Sequence, residues 1–138
     1  MRFLSQLLRH TVTLTLLCST VLARAETPQQ IQAAYESAAR AQAPGFAASA
    51  TRGNDFFHTQ HGQEWTCASC HTGNPSNPGK HVVTGKAIQP MAVAANAERF
   101  TRPDKVEKWF TRNCKDVVGR ACTAAEKADV VAYLISAK

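Results

Sequence analysis

Apolar side chains recur along this chain at the three- and four-residue spacing of amphipathic helices. The first such stretch begins with Thr27-Pro28-Gln29-Gln30, which is typical of a capping box with proline at the first helical position. We predict that this helix ends at Pro44-Gly45, and that a second, short helix contains Asp55, Phe56 and Phe57. The apolar face of the first helix is formed by Ile31, Ala34, Tyr35 and Ala38.

The C-terminal part of the chain predicts two more helices. One starts near Thr101-Arg102-Pro103-Asp104 and stops at Gly119, and the other begins with a second capping box at Thr123. Residues 72–90 are rich in Gly, Pro, Asn and Ser and therefore predict a long loop, in which only residues 81–84 favour a strand. The pattern predicts an all-α domain of about four helices. The two apolar faces consist of Val106, Trp109, Phe110, Cys114 and Val117, and of Val130, Val131, Leu134 and Ile135.

The N-terminal segment has the pattern of a secretory signal peptide. A positive start precedes an apolar run over residues 11–22 and the A-x-A cleavage site Ala23-Arg24-Ala25. The run is shorter than the roughly 18 residues that a transmembrane helix needs. We therefore predict a signal peptide over residues 1–25, export to the periplasm, and one domain over residues 26–138 that does not span the membrane. The positive start consists of Arg2, Arg9 and His10.

Removal of this segment changes both the net charge and the cysteine count. The segment holds three arginines and no acidic residue, so the net charge falls from +6 to +3. Residues 80–120 nevertheless keep nine basic against four acidic residues, which fits either docking of an acidic redox partner or a solvated surface. Nucleic acid is not expected as a partner of an exported protein. The cysteines that remain are Cys67, Cys70, Cys114 and Cys122.

The sequence Cys67-Ala68-Ser69-Cys70-His71 is the C-x-x-C-H attachment motif of c-type haem. Two thiols at this spacing can reach the two vinyl groups on one edge of a porphyrin, and the next residue can then place its imidazole below the iron. The flanking sequence has no strand pattern for a thioredoxin-like dithiol. A zinc site would need a second ligand pair, which His58, His61 and His81 do not form. The single motif predicts one covalent haem c, with His71 as the proximal iron ligand.

Further motifs carry a resemblance to a known family. Gly53-x-x-Phe56-Phe57, the C-x-x-C-H motif and residues 130–134 resemble the class I cytochrome c pattern, in which a glycine lets the N- and C-terminal helices cross closely. The separation of Phe57 from Cys67 is longer than is usual in that class. Residues 67–134 are similar, more specifically, to the sphaeroides haem protein type of cytochrome c. The residues that carry this similarity are 67–72 (CASCHT), 79–81 (GKH), 84–86 (TGK), 99–101 (RFT) and 105–122 (KVEKWFTRNCKDVVGRAC).

The resemblance implies an unusual iron site. Members of this type use an asparagine as the sixth ligand of ferric iron, beside a disulfide, and the matching positions are Asn113 and the pair Cys114 and Cys122. Ferrous members lose the asparagine and can bind small diatomic molecules. The resemblance also implies a diheme cytochrome c and a membrane cytochrome b as redox partners.

The residues themselves leave alternatives open for the sixth ligand. Asn113 shares the apolar face of its predicted helix, where an amide is costly unless it has a partner. Met91 is the main rival, because Gln89-Pro90-Met91 resembles the Pro-Met element of ordinary class I cytochromes. It lies only 20 positions after His71, whereas ordinary members use a longer excursion. His61 and His81 are further candidates.

These patterns lead to one main functional hypothesis and two alternatives. The main hypothesis is an exported monohaem cytochrome c that transfers electrons and binds O₂, NO or CO when ferrous. The first alternative is an ordinary electron carrier with Met91 as ligand. The second is a small haem enzyme that acts on O₂, NO or peroxide, although the sequence has no evident distal His/Arg pair and predicts no catalytic residue.

Overall fold

Residues 25–138, which the computed structural model describes, fold into five α-helices and one short β-hairpin. The all-α prediction is confirmed, whereas the signal peptide predicted over residues 1–25 lies outside the described residues except for Ala25. Among the described helices, none is long and apolar enough to cross a membrane. The elements are α1 (Pro28–Arg40), α2 (Ala50–His58), α3 (Cys67–His71), β1 (Gly79–Lys80), β2 (Ala87–Ile88), α4 (Pro103–Val118) and α5 (Ala124–Ser136).

Local sequence signals set four of the helix ends. Thr27 and Thr123 form complete capping boxes. Each threonine side-chain oxygen accepts a hydrogen bond from the backbone N–H of the third residue after it, Gln30 or Glu126. The side chain of that residue accepts a hydrogen bond from the threonine backbone N–H in return. Gly119 ends α4 in the left-handed conformation, with φ of 77°. A third capping box, between Thr66 and Ser69, opens α3, so that the haem-attachment motif is itself helical.

Helix α1 is shorter than the Pro44-Gly45 signal predicts. Its last residue is Arg40, and turns occupy residues 41–45. The Arg40 Nε donates a hydrogen bond to the carbonyl oxygen of Phe46 at 2.8 Å. The last side chain of the helix thus holds the chain in a turn before the proline is reached.

The expectation of a strand at residues 81–84 is wrong. These residues form the turn of the hairpin, and β1 and β2 pair antiparallel on either side of it. The turn is fixed by the His81 ring, whose Nδ1 accepts from the backbone N–H groups of Val83 and Thr84, both at 3.2 Å. Gly85 closes the turn with φ of 68°. The paired residues are Gly79 with Ile88 and Lys80 with Ala87.

Helix α5 lies at the centre of the packing. It contacts both α1 and α2 closely, and its side chains Val131 and Leu134 are fully buried. Helix α4 differs, because its backbone makes no comparably close approach to another described helix. Its position therefore depends on side chains. The main core consists of Ile31, Phe57, Phe100, Val106, Val130, Val131 and Leu134.

One residue on the predicted apolar face of α4 does not belong to the core. Trp109 is 50% exposed, and the Arg112 guanidinium lies 5.7 Å from the centre of its indole ring. Val118 is buried instead and packs with the two cysteines near the end of α4. Helical spacing places Trp109 next to the buried face of α4. The spacing does not show how far the neighbouring helices extend over that face, so it does not predict whether Trp109 is buried.

Helices α2 and α5 cross at Gly53. A Cβ atom at this position would lie 1.9 Å from the carbonyl oxygen of Asp129 and 2.9 Å from the Cβ of Tyr133. The carboxylate of buried Asp129 accepts from the Arg52 guanidinium and from the backbone N–H of Ser49, which ties the start of α2 to the same turn of α5. The close glycine crossing is thus present, and the helix that makes it is the second one rather than the first.

Replacement of Gly53 by alanine should lower the free energy of unfolding by about 1–3 kcal/mol or more, because the methyl group would meet backbone atoms that cannot move independently. Denaturant unfolding of the holoprotein measures the effect. Gly73→Ala is the matched control, since a Cβ there has no neighbour within 4 Å. Equal losses in the two variants would mean that the crossing tolerates a methyl group.

Candidate haem site

The C-x-x-C-H motif occupies the single turn of α3. Cys67 and Cys70 are free thiols, and both are partly buried. Cys67 packs against the main core, and this burial raises the pKa of its thiol to about 11. Both sulfur atoms are thus held in one helical turn, and the Cys67 thiol is neutral at physiological pH.

The imidazole of His71 lacks a partner on one side. Its Nδ1 atom is buried and has no hydrogen bond within residues 25–138. Burial and, to a smaller extent, the nearby charge of Arg99 lower the pKa of His71 to about 4. The ring is therefore neutral at physiological pH, which is the form that binds iron. The Phe57 ring lies beside it, with 6.2 Å between the ring centres.

The hairpin lies directly against this motif. A Cβ atom at Gly79 would lie 2.1 Å from the carbonyl oxygen of Cys70 and 3.1 Å from the Cα of His71. The imidazole of His58 bridges α2 to the segment after the motif, through contacts to the carbonyl oxygens of Asn54 at 2.8 Å and Gly73 at 3.1 Å. In the sequence, the Gly79 segment stands out only through the family resemblance. A glycine after a short polar loop is the one local signal of such a close approach.

Arg99 is a second residue whose role the sequence did not reveal. Its half-buried guanidinium donates to the carbonyl oxygens of Pro90 at 2.8 Å and Gln89 at 2.7 Å. It thereby holds the segment that precedes Met91 and brings a positive charge near His71. No residue pattern links Arg99 to that segment, because the contacts are made to backbone atoms.

Asn113 lies in α4 between two fixed neighbours. The preceding turn carries Phe110, which packs against the main core, and the next residue, Cys114, is buried. Cys114 forms a disulfide with Cys122, across a Cα–Cα distance of 5.6 Å. The Asn113 side chain is partly buried, and its amide makes no hydrogen bond to the protein within the described range.

The rival ligands are engaged elsewhere. Met91 packs against the main core, and its backbone N–H donates to the carbonyl oxygen of Pro75. The Nε2 of His61 lies 2.8 Å from the carbonyl oxygen of Phe56, and the two rings stack with 4.1 Å between their centres. The Nδ1 of His81 accepts from the hairpin turn. No cluster of three His, Cys, Asp or Glu side chains suited to a metal ion occurs in the part of the chain that the structure describes.

The residues of α3 fit a covalently attached haem. Two free thiols in one turn can form two thioethers, and the neutral, partly buried imidazole of His71 has the chemistry of a proximal ligand. The Nδ1 of His71 has no partner among the described residues, and the hairpin packs against the backbone of the motif. Both features indicate a site that holds a cofactor rather than a simple dithiol.

Comparison with known proteins gives consistent matches. Residues 43–134 match the model of DUF1924, a domain of unknown function. Cytochrome c'' of Methylophilus methylotrophus is 52% identical over 83 residues, which are 60% of this chain and 58% of that protein, so this alignment spans less than two thirds of the relative. Cytochrome c-type protein SHP of Cereibacter sphaeroides is 40% identical over 130 residues, which are 91% of this chain and 96% of the relative.

Solved structures agree with these sequence matches. Oxidised cytochrome c'' from Methylophilus methylotrophus superposes with a TM-score of 0.73 at 43% identity, over 80% of this chain and 94% of the other. Oxidised SHP, described as an oxygen-binding cytochrome c, gives a TM-score of 0.72 at 40% identity, over 80% and 96% of the two chains. The chain therefore belongs to the family of class I c-type cytochromes that includes SHP, and its cofactor is covalently bound haem c.

Proposed function

We propose that this protein is an exported monohaem cytochrome c that transfers electrons and binds small diatomic ligands when ferrous, at a position that Asn113 holds in the ferric state. The observation that carries the proposal is the Asn113 side chain. It is partly buried in α4 beside the disulfide and has no partner within residues 25–138. Because no protein group within that range engages this amide, its oxygen is available to bind an iron atom.

The residues of α3 have separate roles in this proposal. Cys67 and Cys70 form the two thioethers, and His71 is the proximal ligand. When bound, haem c supplies an iron that accepts and releases one electron and takes a sixth ligand. Phe57 and the hairpin hold the motif from two sides, so the His71 ring has little freedom to turn away.

Asn113 provides a ligand whose strength depends on the oxidation state. An amide oxygen is a hard, neutral and weak donor, so it binds ferric iron better than ferrous iron. After it leaves, the same side chain still carries an NH₂ group that can donate a hydrogen bond to an incoming ligand. One residue can thus occupy the site in one state and stabilise a ligand in the other.

The alternatives find less support. Met91 would have to leave the main core, against which it packs, in order to act as a ligand. A peroxidase-like enzyme would need a free histidine and arginine near the site, but His61 contacts a backbone carbonyl and Arg99 donates to two others. The proposal therefore includes no catalytic acid–base pair.

The proposed compartment and partners rest on the sequence and on the hairpin surface. We place residues 26–138 in the periplasm as one domain, after removal of the signal peptide over residues 1–25. Residues 65–97 contain no acidic side chain, and the hairpin beside Cys70 carries Lys80 and Lys86 next to exposed Val82 and Val83. Such a surface fits redox proteins with an acidic face, and the resemblance favours a diheme cytochrome c and a membrane cytochrome b.

Covalent attachment is the first test of the site. The denatured holoprotein should keep its haem and give the pyridine haemochrome spectrum of two thioether bonds. Cys67→Ala should change this to the one-thioether spectrum, whereas Cys114→Ser should leave it unchanged. Extraction of the haem by acid acetone would show that Cys67 and Cys70 are not its attachment points.

The sixth ligand is tested by a pair of substitutions. Asn113→Val should alter the ferric optical spectrum and speed the loss of O₂ from the ferrous protein, because both the ferric ligand and the hydrogen-bond donor are removed. Met91→Leu should change neither, since leucine preserves the packing of the core. The wild-type ferric protein should also lack the sulfur-to-iron charge-transfer band of methionine ligation.

The opposite result would end the gas-binding proposal. If Met91→Leu abolishes the ferric spectrum while Asn113→Val keeps it, the protein is an ordinary methionine-ligated electron carrier. Stopped-flow mixing of the ferrous protein with O₂ and NO, followed by product analysis, separates simple binding from enzymatic turnover.

The disulfide gives a separate prediction. Mass spectrometry of the periplasmic protein should find Cys114 joined to Cys122 and no thiol that can be alkylated. The double variant Cys114→Ser, Cys122→Ser should lose roughly 2.5 kcal/mol of unfolding free energy, because the unfolded chain regains the entropy of an open loop. Two reactive thiols in the purified wild-type protein would contradict the pairing.

A further inference from the structure

The position of Asn113 depends on the side chains that attach helix α4 to the rest of the fold. The backbone of α4 does not approach another described helix closely. Near its C-terminal end, the disulfide and the small cluster of Cys114, Val118 and Cys122 hold it. On the N-terminal side of Asn113, Val106 and Phe110 pack against the main core, and a polar attachment also connects α4 with α1 and α5.

This attachment is a cluster of four side chains, which we call the Lys127 clamp: Tyr35 of α1, Glu107 and Phe110 of α4, and Lys127 of α5. The Lys127 Nζ donates to both carboxylate oxygens of Glu107, at 2.7 and 2.8 Å. The hydroxyl of Tyr35 donates to the same carboxylate at 2.9 Å. The Glu107 carboxylate thus receives donors from two other helices.

The two aromatic rings of the clamp lie close to the ammonium group of Lys127. The Lys127 Nζ lies 5.3 Å from the centre of the Tyr35 ring and 5.9 Å from that of Phe110. The two rings meet edge to face, with 5.6 Å between their centres. The Lys127 side chain is only 14% exposed, so its ion pair is better shielded from solvent than the other α4 pairs.

The protonation states suit these contacts. The bond to Lys127 lowers the pKa of Glu107, which keeps it a carboxylate acceptor. Burial raises the pKa of Tyr35, and its bond to Glu107 raises it further, so the phenol remains a donor. The clamp is therefore complete at physiological pH.

Asn113 lies between the clamp and the disulfide. Phe110 is three positions before it, and Cys114 is the next residue. A shift of α4 at the clamp would therefore move the Asn113 amide about the fixed disulfide. A displacement of the amide on the order of 1 Å is enough to weaken its bond to the iron strongly.

We propose that the Lys127 clamp positions α4 so that the Asn113 amide reaches the sixth ligand site, with Tyr35, Glu107 and Lys127 as positioning residues. This inference rests on the proposed role of Asn113. It gives α1 a part in the site, although residues 28–40 lie outside the range that matches the domain family, residues 43–134. The helix that precedes the family domain would then tune the ligand that the domain carries.

Azide binding to the ferric holoprotein tests the clamp. Azide must displace Asn113, so a weaker Asn113 bond gives a higher azide affinity. We expect Glu107→Gln and Lys127→Met each to raise this affinity by about two- to thirtyfold, the range of couplings carried through packed side chains. The two substitutions change the net charge in opposite directions, so a purely electrostatic effect on the anion would have opposite signs.

Matched variants separate positioning from other effects. Asp116→Asn removes a carboxylate from a pair that lies entirely on α4, Arg112 with Asp116 at 3.9 Å, and should leave azide affinity unchanged. Lys127→Arg should restore most of the wild-type affinity. Tyr35→Phe removes one hydroxyl and keeps the ring, so it provides a mild variant of the clamp that should fold if the stronger ones do not.

The outcomes distinguish this inference from the proposed function. Asn113→Val removes the proposed ligand altogether. Its azide affinity therefore gives the upper limit for the increase that the clamp variants can produce. If Asn113→Val raises azide affinity while the Glu107, Lys127 and Tyr35 variants bind azide as the wild type does, the clamp does not position Asn113. If Asn113→Val itself has no effect, the proposed ligand is wrong, and the role of the clamp falls with it.

Discussion

The contact between Gly53 of α2 and the Asp129 carbonyl of α5 constrains most of the structure. The two backbones are so close there that a side chain at position 53 would clash with α5. Once they meet, Arg52 pairs with Asp129 and Phe57 enters the core. The Phe57 ring then lies beside His71, so the crossing also sets one side of the haem-attachment helix. The absence of one Cβ atom at Gly53 thus connects the packing of the core with the position of His71.

The two sides of the haem site are held in different ways. On the proximal side, α3 lies against a glycine of the hairpin and against the core, where close packing leaves little room for movement. On the side assigned to Asn113, α4 contributes Val106 to the core and is further attached by an ion pair, two aromatic rings and a disulfide. This difference suits the proposed function, in which His71 stays bound and Asn113 is exchanged.

The sequence predicted the features that depend on neighbouring residues. The caps at Thr27 and Thr123 and the stop at Gly119 are local, and the C-x-x-C-H motif holds its reactive groups within one turn. The strand expected at residues 81–84 failed because the imidazole of His81 fixes a turn among residues that favour strands. The exposure of Trp109 was missed because spacing does not show where protein contacts end.

Contacts between distant parts of the chain could not be predicted. Tyr35 and Glu107 are 72 positions apart, and Arg99 acts through backbone oxygens that carry no residue signature. A lysine on an amphipathic helix is usually solvated, so nothing in the sequence indicates that Lys127 is shielded by two aromatic rings.

The packing around α3 has a consequence for the order of assembly in the cell. Cys67 lies against the core. The hairpin lies so close to the backbone of Cys70 that only a residue without a Cβ atom, Gly79, fits there. An enzyme that joins both thiols to a porphyrin works on the whole turn, and the hairpin restricts the approach to it from the Cys70 backbone side. Attachment before the hairpin closes would leave this turn open. The covalent bonds would then form before the tertiary structure that later packs around them.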